Sequence, residues 1–127
     1  MKAKRSYKYW CIGNQRVNNI LESERKAGFI AKSTGMYSED ADVLVRLADK
    51  PGYVRVYEST NYASPHEYFS EKRGLRYLHN LLQYPEAEKV FVCSYVENLR
   101  YLPEGRNFFE KHGIKVEVIG KQDELVS

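Results

Sequence analysis

The sequence predicts an α/β fold: a mixed β-sheet with an N-terminal helix, a β-hairpin and then a helix-strand-helix-strand run. Three observations lead there. Two β-rich runs, Val43 to Ala48 and Tyr53 to Ser59, are separated by a short turn segment. A continuous apolar run, Lys89-Val-Phe-Val-Cys-Ser-Tyr95, has the character of a strand buried on both faces. Segments with helical spacing, each with its own start and stop signals, lie before, between and after these strands.

Asn14 is placed as an N-cap, Val17, Ile20 and Leu21 recur at helical spacing, and Gly28 occupies the C′ position, which predicts a short amphipathic helix over 15–27. Phe29 to Lys32 reads as a brief strand and Ser33 to Ala41, polar and containing Gly35, as a loop. Asp49-Lys50-Pro51-Gly52 joins the β-rich runs into a hairpin, with Pro and Gly at the central positions of a type II turn. In the second arm Val54 and Val56 alternate with Tyr53, Arg55 and Tyr57, so the valine face is assigned to the core.

Ser64-Pro65-His66-Glu67 combines a cap, a first-turn proline and a glutamate at N3, so a long helix starts there. Its apolar stripe is Tyr68, Leu75, Leu78 and Leu82, its basic side carries Lys72, Arg73 and Arg76, and it ends before Pro85. Glu104 to His112 forms a further helix with Phe108 and Phe109 inward and Gly113 as its stop. Ile114, Val116 and Val118 alternate with Lys115 and Glu117 as the last strand, which a helical crossover makes parallel to the strand before it. Residues 122–127 are a polar tail, and no repeat or linker divides the chain, so 1–127 is read as one domain preceded by a basic, aromatic segment over 1–13.

The 127 residues are 43% apolar and 29% charged, the balance of a folded soluble protein. No run approaches the roughly 18 apolar residues of a membrane span, and no apolar segment follows the basic start, so neither membrane insertion nor secretion is expected and a cytoplasmic location is. Cys11 and Cys93 have no CxxC or Cys/His cluster beside them, which leaves two reduced thiols or a single disulfide, and calls for no metal or cofactor. The net charge of +3 is uneven: residues 1–32 hold eight Lys/Arg against two Glu, a net +6, leaving −3 for the rest.

Phe69-Ser70-Glu71-Lys72 lies within the long helix and Val92-Cys93-Ser94-Tyr95-Val96 at the end of the apolar strand. In that order, over residues 42 to 119, they resemble the His-x-Glu and Pro-Cys-x-x-Cys motifs of the cytidine-deaminase superfamily. The resemblance implies that Glu71 matches a proton shuttle and Cys93 the first zinc-binding cysteine. It also shows two departures, because Phe69 stands in the place of the histidine and Val96 in that of the second cysteine. A catalytic zinc takes three protein donors and an open position, so the implied scaffold is a degenerate one without metal. His66, one turn before Phe69, is a substitute donor in principle, and is otherwise a solvent-facing residue of the capping turn.

Cys93 as a nucleophile needs a base beside it, and none of His66, His79 or His112 is placed there by the sequence, so a buried inert thiol is the plainer reading. Lys2, Lys4, Arg5 and Lys8, interleaved with Tyr9 and Trp10, can neutralise phosphates and stack on bases; Arg73 and Arg76 form a second basic group. The ordinary readings are a solvated terminus and a solvated helix face. Neither a Gly-rich phosphate loop, HExxH, G-x-S-x-G nor an Asp…Glu-x-Lys nuclease pattern is recognised. Three functions follow. They are a non-catalytic domain that binds nucleotide or nucleic acid through the basic N-terminus and a pocket at the strand ends, a protein-interaction module such as an inhibitor, immunity or viral accessory protein, and an enzyme using Glu71 with Cys93 or His66. The enzyme ranks behind the other two because the familiar site lacks its ligands.

Overall fold

The first described element is a helix over 15–26 (α1). Strands β1 (Ile30–Ser33), β2 (Val43–Arg46) and β3 (Tyr53–Ser59) follow, then helix α2 (Glu71–Leu82), strand β4 (Glu88–Ser94), helix α3 (Glu104–Glu110) and strand β5 (Lys115–Ile119). The computed structural model describes residues 15–35, 39–59, 71–94 and 104–119. The capping box at 64–67, the basic segment 1–13 and the tail 122–127 lie outside these residues.

The five strands form one mixed sheet in the order β1-β2-β3-β4-β5. β1 with β2 and β2 with β3 pair antiparallel, whereas β3 with β4 and β4 with β5 pair parallel. β2 therefore opposes all the others. The expected hairpin and the expected parallel final pair are both present, and α2 and α3 supply the long connections that parallel neighbours require.

Strand alternation divides the core into two layers of packing. Leu44, Val56, Phe91, Cys93 and Val116 face α2 and α3, where they enclose Tyr77, Leu78, Leu81 and Phe109. Val43 and Val45 face the other way, toward Leu21 of α1 and Ala31 of β1. The result is a sheet covered by helices on both sides. Phe91 and Phe109 stack with centroids 4.1 Å apart, and Tyr77 tilts against Phe91 at 5.1 Å.

The helix stops follow the glycine rule. Gly28 has φ 97°, and the Phe29 N–H reaches Glu24 O at 3.1 Å; Gly113 has φ 77°, and the Ile114 N–H reaches Phe109 O at 3.2 Å. Both are left-handed C′ residues closing a Schellman-type turn. α3 ends at Glu110, with 111–113 forming the turn.

Three local expectations are corrected. Gly52 does not adopt the positive φ of a type II turn; the closing hydrogen bond runs instead from Lys50 N–H to Leu47 O at 3.4 Å, so the chain turns over Ala48 and Asp49 before Pro51. The register shifts between Val45 and Arg46, and Val56 and Val54 consequently pack in different layers, Val54 beside α1 with Val43 and Val45. On α2, Leu75 and Leu82 are 52% and 42% exposed, and the inward face is Tyr77, Leu78, Asn80 and Leu81. A stripe chosen from leucines alone skips Tyr77, which fits the Phe91/Phe109 stack, and Asn80, which is buried for a polar reason given below.

Candidate active site

The Val43–Tyr57 pair of β2 and β3, extended by one residue, sets Asp42 opposite Glu58. Both lie on the face shared with Leu44 and Val56, at the C-terminal end of β3, where the parallel strands β3, β4 and β5 also end. Ligands of α/β sheets collect at this end. The two residues are tied through their backbones: Ser59 N–H donates to Asp42 Oδ2 at 2.8 Å, and Asp42 N–H donates to the Glu58 carboxylate.

The approach to the pair is held from two sides. Asp42 O accepts from Thr34 N–H at 3.1 Å, and Ala41 O accepts from Thr34 Oγ at 2.6 Å. From the end of α2, Gln83 Nε2 donates to Glu39 O at 3.0 Å and the Tyr84 hydroxyl donates to Asp40, whose Oδ1 also accepts from Ala41 N–H at 2.9 Å. Segment 39–42 is thus clamped before the strand begins.

The charges are the informative part. Glu58 is 3% exposed, and burial raises it well above the ordinary carboxylate value, with the Asp42 charge adding to the rise. Asp42 is pushed up to about 6, again mainly by burial, against the opposing Ser59 hydrogen bond and the Arg76 charge. Two adjacent buried carboxylates cannot both ionise cheaply. They need either a shared proton or a cation.

Asn80 of α2 packs onto the same pair. Its Nδ2 donates to Glu58 Oε1 at 3.3 Å, while its Oδ1, on a side chain 4% exposed, has no hydrogen-bond partner. A buried amide oxygen without a donor is costly, and it is also a hard-cation ligand. Arg76, one turn earlier on the same helix face, is exposed and stacks its guanidinium 5.6 Å from the Tyr77 ring. Its charge acts on both carboxylates.

Among the described residues no three His, Cys, Asp or Glu side chains come together as a metal cluster. Two carboxylates with an amide oxygen are not a closed zinc cage. Carboxylate and amide oxygens are donors of the kind that hard divalent cations take.

The residues singled out from the sequence are placed as follows. Cys93 is wholly enclosed in the apolar core among Ala41, Phe91 and Phe109 and their neighbours, as expected of an inert thiol. Glu71 and Arg73 belong to α2; among the described side chains Arg76 of the basic candidates acts on the carboxylate pair. His66, Lys2, Lys4, Arg5, Lys8, Tyr9 and Trp10 lie outside the described residues.

Asp42 and Glu58 were missed, although a signal existed: in β3, Glu58 follows Val54 and Val56 at a spacing of two, a charge where alternation calls for an apolar residue. In sequence the set reads Asp42…Glu58-Ser59-Thr60, an Asp…Glu-x pattern with Thr in place of Lys.

A second buried polar group lies on the opposite face. Glu24 of α1 receives Arg55 Nε at 2.8 Å, Arg55 Nη2 at 3.3 Å and the Tyr57 hydroxyl at 2.6 Å. Burial and this Glu24 bond raise the Tyr57 phenol. The Glu24 carboxylate thus accepts three hydrogen bonds from β3, which fasten α1 to the sheet.

Comparison with protein-family models, curated proteins and solved structures finds no match to this chain. Among the described residues no helix is long and apolar enough to cross a membrane.

Proposed function

We propose that this domain is a divalent-cation-dependent phosphodiesterase acting on nucleic acid, with Asp42 and Glu58 holding the cation. The observation that carries the reading is the juxtaposition of the two carboxylates at the C-terminal end of β3, against the donorless Asn80 oxygen. Magnesium and manganese are held by one or two carboxylates and complete their shells with water and substrate phosphate. A phosphate between such a cation and a basic side chain has its developing charge met on two sides.

The chemistry asked of the site is hydrolysis. A water oxygen adds to phosphorus, the bond from phosphorus to the leaving sugar oxygen breaks with its electron pair, the water loses a proton to the carboxylates or to solvent, and the leaving oxygen gains one. A cation held by Asp42 and Glu58 would lower the pKa of a water on it and polarise a phosphoryl oxygen. Nucleic acid is favoured over other phosphodiesters by the charge distribution, net +6 over residues 1–32 with aromatics interleaved at Tyr7, Tyr9 and Trp10.

The test is Mn²⁺ binding followed by electron paramagnetic resonance, with cleavage of single- and double-stranded DNA and RNA in Mg²⁺ or Mn²⁺. The expected result is saturable binding and cleavage in the wild type, and loss of both in D42N and E58Q with the folded circular-dichroism spectrum kept. A wild type that takes up no Mn²⁺ would end this reading. Oligonucleotide binding without cleavage would leave a recognition domain in its place.

A further inference from the structure

Arg76 is an exposed basic side chain whose charge acts on both carboxylates. α2 connects the end of β3 to the start of β4 and so runs opposite to both strands, which sets its earlier turns toward the C-terminal strand ends. Asn80 marks the level of Glu58 through its hydrogen bond. Arg76 therefore stands about one helical pitch, roughly 5 Å, nearer the C-terminal strand ends than Asn80 does. Among the described residues its guanidinium makes no ion pair with either carboxylate, whereas Arg55 on the opposite face is paired with Glu24 and lies 3.8 Å from Glu88. Its one described contact is the Tyr77 ring, which restricts the swing of the side chain without neutralising it.

We infer that Arg76 receives a phosphate of the bound nucleic-acid strand, beside the phosphate held by the Asp42/Glu58 cation. The inference rests on the reading of the carboxylate pair as a cation site and goes beyond it by naming the residue that takes the substrate. The guanidinium offers a planar fork of donors to two phosphate oxygens. It stands too far from the carboxylates to pair with them, yet near enough to be drawn toward anything that bridges them. Phosphate bound here would be shared between guanidinium and cation, the arrangement that positions a scissile group for attack.

The experiment compares wild type, R76A and R76K. R76K keeps the charge that acts on Asp42 and Glu58 and should hold the unfolding midpoint, and circular dichroism establishes that R76A is folded before the two are compared. Oligonucleotide affinity is measured by fluorescence anisotropy across a salt series, first in EDTA. R76A should reduce the slope of log affinity against log salt by about 0.7 for a single strand or about 0.9 for a duplex, the loss of one phosphate contact. In Mn²⁺, kcat/KM should fall roughly 10- to 100-fold, with R76K recovering part of it. Mn²⁺ affinity of R76A should equal or exceed that of wild type, since a repelling charge is gone.

The failures separate cleanly. An R76A protein with the wild-type salt slope and wild-type kcat/KM overturns the Arg76 assignment, whatever the metal result. A wild type without Mn²⁺ binding overturns the cation reading, while the EDTA salt slope still decides whether Arg76 meets a phosphate.

Discussion

Asp42 and Glu58 hold one another in place through main-chain donors, Ser59 N–H to Asp42 Oδ2 at 2.8 Å and Asp42 N–H to the Glu58 carboxylate. The geometry is thus fixed by the strands, and the cost of the site is purely the cost of its charge. Asn at position 42 keeps an oxygen for the Ser59 bond and removes the charge. D42N should therefore stabilise the metal-free protein at pH 8 by about 1–3 kcal/mol, the size of raising an aspartate from 3.8 to about 6. Urea unfolding in EDTA checks it. A destabilised D42N would show that the pair is not under electrostatic load.

The same load sets a pH dependence. Asp42 has a folded pKa above its unfolded value, so the native state binds the proton more tightly than the unfolded chain does. Its stabilising contribution is complete below pH 3.8 and is lost as pH rises through about 6. Glu58, raised well above 4.5, extends the loss to higher pH. The stability difference between wild type and D42N should accordingly open between pH 4 and pH 7 and favour D42N at the upper end. Mn²⁺ at about 100 times its Kd should restore roughly 2.7 kcal/mol to the wild type at pH 8 and nothing to D42N. Equal unfolding curves with and without metal would contradict this.

Much of the architecture was legible in the sequence because it depends on local rules. Gly28 and Gly113 stop helices where a left-handed residue is needed, the alternation of β3 and β5 marks strands, and a helix between two strands implies a parallel pair. The site was not legible because it depends on register. A type II turn at Asp49 to Gly52 would set Asp42 opposite Ser59 and turn Glu58 to a different face from Asp42. The actual turn at Leu47 to Lys50, with the shift between Val45 and Arg46, sets Asp42 opposite Glu58. A single residue of slip decides whether the carboxylates meet. Asn80 was hidden for a related reason, since its burial makes sense only once Glu58 is known to lie beneath it. Glu71 and Cys93 stand in motif-like strings, whereas Glu58 is a single charge at a position where strand alternation calls for an apolar residue.

The triad on the opposite face makes a contrasting prediction. Glu24, with its side chain 7% exposed, is neutralised by Arg55. R55M leaves that carboxylate buried and uncompensated and should cost about 3 kcal/mol. Adding E24Q removes the stranded charge and keeps an acceptor for the Tyr57 hydroxyl, so the double variant should recover more than half of the loss. Chemical unfolding of the two variants measures the coupling. A double variant no better than R55M would mean that Arg55 acts through its packing over Phe29, 5.2 Å from the ring, and not through charge.

Asn80 separates a structural reading of the site from a functional one. Its Nδ2 steadies Glu58 at 3.3 Å, and its Oδ1 is buried without a donor. Leucine at this position deletes both atoms at similar volume. Were the side chain merely an imperfectly satisfied core residue, N80L would relieve the orphaned oxygen and leave metal affinity alone. If the amide belongs to the cation site, N80L should weaken Mn²⁺ binding by about 10- to 100-fold, the usual effect of losing a group that ligates or orients ligands. N80D should do the opposite on both axes: a third carboxylate beside Glu58 raises the repulsion, so the metal-free protein loses stability at pH 8 while Mn²⁺ affinity rises. Paired measurement of Mn²⁺ affinity and metal-free unfolding decides it, because only membership in the cation site makes the two quantities move in opposite directions in N80D.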